Sequence, residues 1–409
     1  MESGTARRKA GGHTGFAGLL TACAVGLLVA APAHGASGGV RWAPKPAISK
    51  VTCVKECGSR KRVRGGSTIR LTGRNLAGAT KVVFHGGRGP RDDKSVKPRA
   101  RSARSVTAVV PLSAPTGPVS VWAGDDNRSK RTGDVAVLPP LPPEVNPELT
   151  PAPGPRDPGG PRLETGTSQG KFFFGAARSV KFSYRVNSDA PASVRVDLSR
   201  VADGVVIRSW PAQAAPGAVN EIAWDGYDGE GQLQPEGRYA FRVVASGSNG
   251  AEARSSQVAD TRRDAFDFYR HIFPVRGRHD YGGAGARFGT GRAGHSHQGQ
   301  DIFARCGTPL VAARGGVVKF KQYHAAAGHY LVIDGDQTGV DYAYMHLVSA
   351  TPFNVGDRVY TGQEIGRVGD SGNASGCHLH YEMWDAPGWY DGGRPFDPYP
   401  LLREWDAYS

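Results

Sequence analysis

The chain has 409 residues, 39% of them hydrophobic, with 57 Gly, 29 Pro and a formal net charge of +14. That length suits two to four domains, and glycine and proline at this density exclude a protein built from long helices and favour small β domains. The charge is local: residues 41–140 hold 21 Lys/Arg against 6 Asp/Glu, whereas 141–409 hold 27 against 30, so an anionic partner is expected at one module only.

Arg7, Arg8 and Lys9 precede an apolar run from about Gly15 to Ala33, and small residues follow. This is the pattern of a secretory signal peptide over 1–36, with Ala31-Pro-Ala33 or Ala33-His-Gly35 as the cleavage site. An uncleaved anchor is the alternative, because the run nears the ~20 residues of a membrane span. Its many Ala and Gly residues argue against that. Leu20-Thr-Ala-Cys23 resembles a lipoprotein box, but the apolar run continues beyond Cys23. Export predicts a secreted, wall-associated protein with no stable membrane span after cleavage. It also predicts that Cys53, Cys57, Cys306 and Cys377 form pairs.

Over 45–138 the residues alternate as in strands: Gly66-Ser-Thr-Ile-Arg-Leu-Thr-Gly73, Lys81-Val-Val-Phe84, Val106-Thr-Ala-Val-Val110 and Val119-Ser-Val-Trp122. No stretch has helical periodicity over a helix length. The run Gly66-Ser-x-x-x-Leu-Thr-Gly-x-Asn-Leu-x-Gly78 resembles the IPT/TIG-type immunoglobulin-like fold. Cys53 and Cys57 could close a small loop, and a C-x-x-x-C pair alone is a poor metal site. Arg60, Lys61, Arg62 and Arg64 form one basic cluster; Lys94, Lys97, Arg99, Arg101 and Arg104 form another. On an exported protein they suit an anionic wall polymer. No motif for nucleic acid accompanies them, so none is expected as partner.

Ten prolines between Pro139 and Pro161 predict an extended linker over 139–163. From 168 to 258 strand-like alternation returns, in Val180-Lys-Phe-Ser-Tyr-Arg-Val186 and Ala192-Ser-Val-Arg-Val-Asp-Leu198. The Trp224-Asp-Gly-x-Asp-x-x-Gly231…Gly237-Arg-Tyr-x-Phe241 pattern is similar to the immunoglobulin-like domain of flagellar hook-capping (FlgD-like) proteins. Asp225, Asp228 and Glu230 do not fit a calcium loop, so a turn is expected there.

The C-terminal module, 265–404, carries the chemistry. In Cys377-His-Leu-His-Tyr-Glu382 a strand puts His378, His380 and Glu382 on one face and Leu379, Tyr381 and Met383 on the other. His297-Gln-Gly-Gln-Asp301 adds an H-x-x-x-D pair at the start of a strand. Two His, one Asp and an open fourth position are the donor set of a catalytic zinc site. In Tyr342-Ala-Tyr-Met-His346 alternation predicts that Tyr342, Tyr344 and His346 share a face, bringing a further imidazole to accept or return a proton.

These motifs, with Phe273-Pro-Val-Arg-Gly277, Gly307-Thr-Pro309, Gly356-Asp-x-Val359, Gly362-Gln-x-Ile-Gly366 and Gly369-x-Ser-Gly372, resemble the lysostaphin/LytM-type zinc metallopeptidases. The resemblance covers about a third of the chain. It implies an all-antiparallel β peptidase domain after two immunoglobulin-like β-sandwich modules, a mainly β protein throughout. It implies one Zn²⁺ held by His297, Asp301 and His380, with His346 and His378 as the catalytic pair. The substrate would be the cross-links or stem peptides of peptidoglycan. The division of roles between His378 and His380 comes from the family. Bridging Cys306 to Cys377 would tie the metal-bearing strands together; as free thiols they could compete for zinc, and export favours the bridge. The alternative function is a non-hydrolytic wall-binding or regulatory protein that keeps this fold.

Overall fold

Alternation of apolar and polar side chains builds nearly every element of the computed structural model, which describes residues 44–409 except 59–61, 88, 125, 257–262 and 293. The signal segment, Arg60 and Lys61 lie outside the described residues. Among those described, no helix is long and apolar enough to cross a membrane.

In the strand Thr68–Arg74, Ile69 and Leu71 are fully buried while Arg70 and Arg74 face solvent. That strand joins Ala47–Lys55, Ser105–Val109 and Ala100–Arg101 in one sheet. A second sheet holds Arg62–Arg64, Asp134–Leu138, Gly117–Trp122, Lys81–Phe84 and Lys94–Val96. Both sheets feed one cluster around Ile69, Leu71, Val82, Phe84, Val106 and Val121. Cys53 and Cys57 are disulfide-bonded.

A second pair of sheets surrounds an aromatic core. Trp224 has no exposed surface and sits within 6.0 Å, ring to ring, of Phe172, Tyr239, Phe266 and Phe268. Rings of this size supply most of the burial energy of a small core. In the following turn, Asp228 accepts the N–H groups of Glu230 and Gln232 at 3.0 and 2.8 Å and the Gln234 amide at 2.7 Å. Its carboxylate is thus used in shaping the turn.

Two expected boundaries shift. The Pro-rich stretch is not a free spacer along its length: Thr150–Pro151 pairs with Arg162–Thr167, and the Gly154 N–H donates to the Ser255 carbonyl at 3.0 Å. Extended backbone suits proline at a sheet edge, where its missing N–H costs nothing. Ala265–Tyr269, expected to open the C-terminal module, instead lies in the aromatic module's sheet, between Lys171–Phe173 and Gly237–Ser246. Its alternating Phe266 and Phe268 belong to the Trp224 core.

The C-terminal module is an eight-stranded antiparallel sheet. Its strands are β1 (His279–Asp280), β2 (Gln300–Ala304), β3 (Gly316–His324), β4 (Gly328–Gly335), β5 (Asp341–Leu347), β6 (Arg358–Val359), β7 (His378–Trp384) and β8 (Pro395–Phe396). Their order is β1-β2-β7-β5-β4-β3-β6, with β8 on the end of β7. Leu379, Tyr381 and Met383 enter the core with Tyr342, Tyr344 and Ile302, so β7 turns its other face to a groove. The chain closes with α1 (Tyr399–Tyr408), whose Leu402 and Trp405 are buried.

Both preceding modules pack on this one. Leu138 lies in its core cluster. Arg62 pairs with Asp357 and donates to the Pro352 carbonyl at 2.6 Å, and the Arg64 guanidinium lies 5.7 Å from the Tyr360 ring centre. These two arginines therefore leave the first basic cluster: Asp357 supplies the charge for Arg62, and Arg64, 2% exposed, has the Tyr360 ring beside it and donates to the Pro139 carbonyl at 3.5 Å. On the other side the Thr361 N–H donates to the Gly175 carbonyl at 3.0 Å, and Arg314 sits 4.3 Å over Phe174. Tyr408 stacks on Tyr269 at 3.8 Å.

Candidate metal centre and groove

Antiparallel pairing of β2 with β7 sets Asp301 opposite His380. His297 stands on the segment just before β2, held where its N–H meets the Thr290 carbonyl at 2.7 Å. Three donor atoms converge. His297 Nε2 lies 2.9 Å from His380 Nδ1 and 3.1 Å from Asp301 Oδ1; His380 Nδ1 lies 2.9 Å from the same oxygen.

The outer nitrogens decide what this triangle can hold. His297 Nδ1 faces the Arg287 carbonyl at 2.8 Å, and His380 Nε2 faces Glu382 Oε1 at 2.9 Å. An oxygen acceptor there fixes the proton on the outer nitrogen and turns a lone pair inward. Two lone pairs and a carboxylate oxygen then face one point, which suits a cation. Donors around a four-coordinate zinc, at about 2.0–2.1 Å from it, lie about 3.3 Å apart, close to the observed spacings. Among the described residues the other cluster with such spacing is Cys306, Asp370 and Cys377, but Cys306 and Cys377 are bonded to each other.

Charge agrees with this geometry. Burial opposes ionisation of Asp301, yet the imidazoles of His297 and His380 beside it hold its carboxyl well below the usual range. Burial likewise opposes charge on His380, yet Asp301 and Glu382 raise it to about 9. The donor set thus favours a positive charge at its centre, as a proton or a metal ion. Glu382 completes the arrangement. It is 4% exposed, and Oε2 accepts the indole N–H groups of Trp384 at 2.8 Å and Trp389 at 3.0 Å.

Two more imidazoles reach the groove. His378 Nδ1 faces the Gly376 carbonyl and His346 Nδ1 the Ser371 carbonyl, each at 2.8 Å. Each Nε2 is therefore left as the acceptor. The two rings are 4.7 Å apart, and His378 Nε2 is 3.7 Å from Asp301 Oδ1. Burial pushes the His346 imidazole down to about 4, which keeps it neutral at pH 7.

The five residues expected at the site all come together, but His346 arrives differently from the alternation. Tyr342 and Tyr344 point into the core, where the Tyr344 hydroxyl accepts the Ala313 N–H at 2.8 Å. His346 instead adopts a left-handed backbone, φ +59, beside a register shift between β4 and β5. The twist turns it out of the core and into the groove. A non-glycine residue pays roughly 1–3 kcal/mol for such a conformation, and strain of this kind concentrates at functional sites.

The groove encloses about 660 Å³. Besides the five it is lined by Arg292, Gln298, Tyr330, Asn373, Trp389 and Tyr390, among others. The outer acceptor Glu382 was legible from its place two residues after His380. Arg292, Trp384 and Trp389 carry no motif, and only the fold brings them here.

Residues 295–398 match the sequence model of Peptidase family M23, so the C-terminal part of the chain carries a domain of this family, the lysostaphin/LytM type expected from the motifs. The L-Ala--D-Glu endopeptidase of Bacillus subtilis (strain 168) is 36% identical over 159 residues, covering 35% of this chain and 46% of the relative. Peptidoglycan DD-endopeptidase ShyC of Vibrio cholerae serotype O1 is 40% identical over 88 residues, 22% of this chain and 20% of the relative. The chain thus spans less than half the length of either relative. The catalytic domain of the antimicrobial peptidase lysostaphin from Staphylococcus simulans aligns at 28% identity over 31% of this chain and 92% of that one, with a TM-score of 0.27.

Proposed function

We propose that this protein is an exported zinc endopeptidase that hydrolyses peptide bonds of peptidoglycan outside the cytoplasm. His297, Asp301 and His380 hold one Zn²⁺, and His346 and His378 act on the reacting groups. One observation carries the reading: two inward lone pairs and a carboxylate oxygen face one point, with two further Nε2 acceptors beside them in a single groove. Relatives named for cutting L-Ala–D-Glu or peptidoglycan DD bonds support the substrate class.

Zinc, when bound, lowers the pKa of its water to about 7 and polarises the carbonyl to be attacked. The chain's own residues supply the proton handling. One neutral imidazole takes the water's proton at Nε2 as the carbon–oxygen bond forms. The same proton then passes to the leaving amine as the carbon–nitrogen bond breaks. The second imidazole orients the water and, when protonated, donates from Nε2 to the developing oxyanion. Their Nδ1–H bonds to the Ser371 and Gly376 carbonyls keep both rings in the required tautomer.

The exposed residues Lys94, Lys97, Arg99, Arg101 and Arg104 give the first module a docking face for an anionic wall polymer. Raised salt should weaken that attachment.

The deciding experiment uses the purified full chain on isolated wall, with mass spectrometry of the released fragments. Chelator should stop release and Zn²⁺ restore it. No release from the zinc-loaded protein, or a cellular role that survives substitution of both His346 and His378, would favour the non-hydrolytic reading.

A further inference from the structure

The groove is lopsided. Arg292 and His295 stand on paired strands of a short hairpin, Gly291–Arg292 with His295–Ser296, that leads into β2. They line the groove on the β2 side. Across β7 and β5, His324 at the end of β3, the β3–β4 turn and the segment before β7 contribute one imidazole and the small side chains of Ala326, Ala327, Asn373, Ala374 and Ser375, with no guanidinium among them. The lining carboxylates are Asp301 and Glu382, and both are engaged. Asp301 Oδ1 faces the two histidines, and both oxygens of Glu382 accept N–H donors. Arg292 donates to Asp301 Oδ2 through Nη2 at 3.2 Å, one hydrogen bond among the described residues for a group with five N–H donors. Its side chain is 37% exposed and lines the groove, so one terminal amino group is anchored on Asp301 while N–H donors of the guanidinium remain open to a ligand there.

Resting on the peptidase reading above, we propose that Arg292 is a specificity-determining residue that binds a free carboxylate of the substrate next to the bond to be cut. A planar fork with spare donors matches a carboxylate bidentately, and partial burial strengthens the bond over its value in water. The preferred substrates are then peptides bearing a carboxylate beside the cut, as in stems of acidic or C-terminal D-amino acids. Neutral glycine-rich bridges offer nothing to this fork.

The test uses the full-length, zinc-loaded protein and two synthetic stem peptides, identical except that one ends in a free carboxylate next to the cut bond and the other in its carboxamide. A charge-assisted hydrogen bond of ordinary strength gives a preference of roughly 10–100-fold in kcat/KM for the free acid, expressed mainly in KM. In Arg292→Gln that ratio collapses toward one, and Arg292→Lys, which keeps the charge without the fork, falls between. Calorimetric binding of the same peptides to a His378→Ala protein should show the same order, independently of turnover. A wild-type ratio near one, or a ratio that Arg292→Gln leaves intact, overturns the proposal. If the zinc-loaded wild type cuts neither peptide and binds neither, the peptidase reading itself fails, and this inference with it.

Discussion

At the scale of single residues, the proposed function divides the site into side chains that hold charge and side chains that move it. Glu382 belongs to the first kind although it lies outside the converging triangle. It takes three N–H donors in a buried pocket, and through His380 it governs the basicity of an inward nitrogen. Glu382→Gln should weaken metal retention by roughly 10–100-fold, as read by competition with a chromogenic chelator, while near-UV circular dichroism stays native. His346 is the opposite case. His346→Ala should cost about 10²–10⁴ in kcat and leave the chelator competition unmoved, because its ring is outside the donor triangle. His297 and Asp301 were legible from their spacing of four, and the third corner was narrowed to His378 or His380 by their spacing of two; the choice of His380 came from the family resemblance. Period-two alternation failed at His346 since a left-handed residue reverses the face, and no local composition announces that twist. Arg292 stayed illegible for another reason: a lone arginine in a Gly-rich stretch has no spacing to read.

Elements carry the next level of consequence. The strand Ala265–Tyr269 completes the aromatic module, and the carboxyl just before it is poorly placed for charge. Asp264 is 2% exposed, and neither carboxylate oxygen has a hydrogen-bond partner among the described residues. Burial raises its pKa to about 6, with the nearby Thr165 hydroxyl and the charge of Arg263 acting the other way. A raised carboxyl binds its proton more tightly folded than unfolded. Its neutral form is therefore harmless at acid pH, and a penalty grows as pH rises from about 4 to about 6. By pH 7 the penalty is about 3 kcal/mol. Asp264→Asn should raise the Tm at pH 7 and lose that advantage by pH 4, as followed by calorimetry across pH. Strands such as Thr68–Arg74, Val180–Asn187 and His378–Trp384 were legible from alternation. Which sheet a strand joins was not: Ala-Phe-Asp-Phe-Tyr reads the same whether it opens one module or closes another, and the choice falls to Trp224 and its aromatic neighbours.

On the scale of the whole molecule, the segment from Thr351 to Gly362 ties the parts together, with Arg62 on Asp357, Arg64 at Tyr360 and the Gly175 carbonyl on Thr361. Described residues from Pro44 to Ser409 form one compact unit. Cooperative unfolding follows where cores share residues and buried ion pairs cross between them. The full chain should melt in one calorimetric transition. Leu138→Ala, though made in the first module, should destabilise the C-terminal one by roughly 2–5 kcal/mol, visible as earlier loss of metal on heating. Separate transitions for the modules would contradict this.

The same bracing sets a mechanical property. A cutting groove on a flexible tether can sweep a sphere of positions around its anchor. Here the cationic face around Lys94–Arg104 and the groove beside β7 belong to a single compact unit, so if both act as proposed, the protein would work as a caliper with a fixed gap. A polymer gripped at one jaw would bring to the other only those peptides that hang at the matching distance. Selection among chemically identical bonds would then be made by reach, with no further contact needed to choose between them.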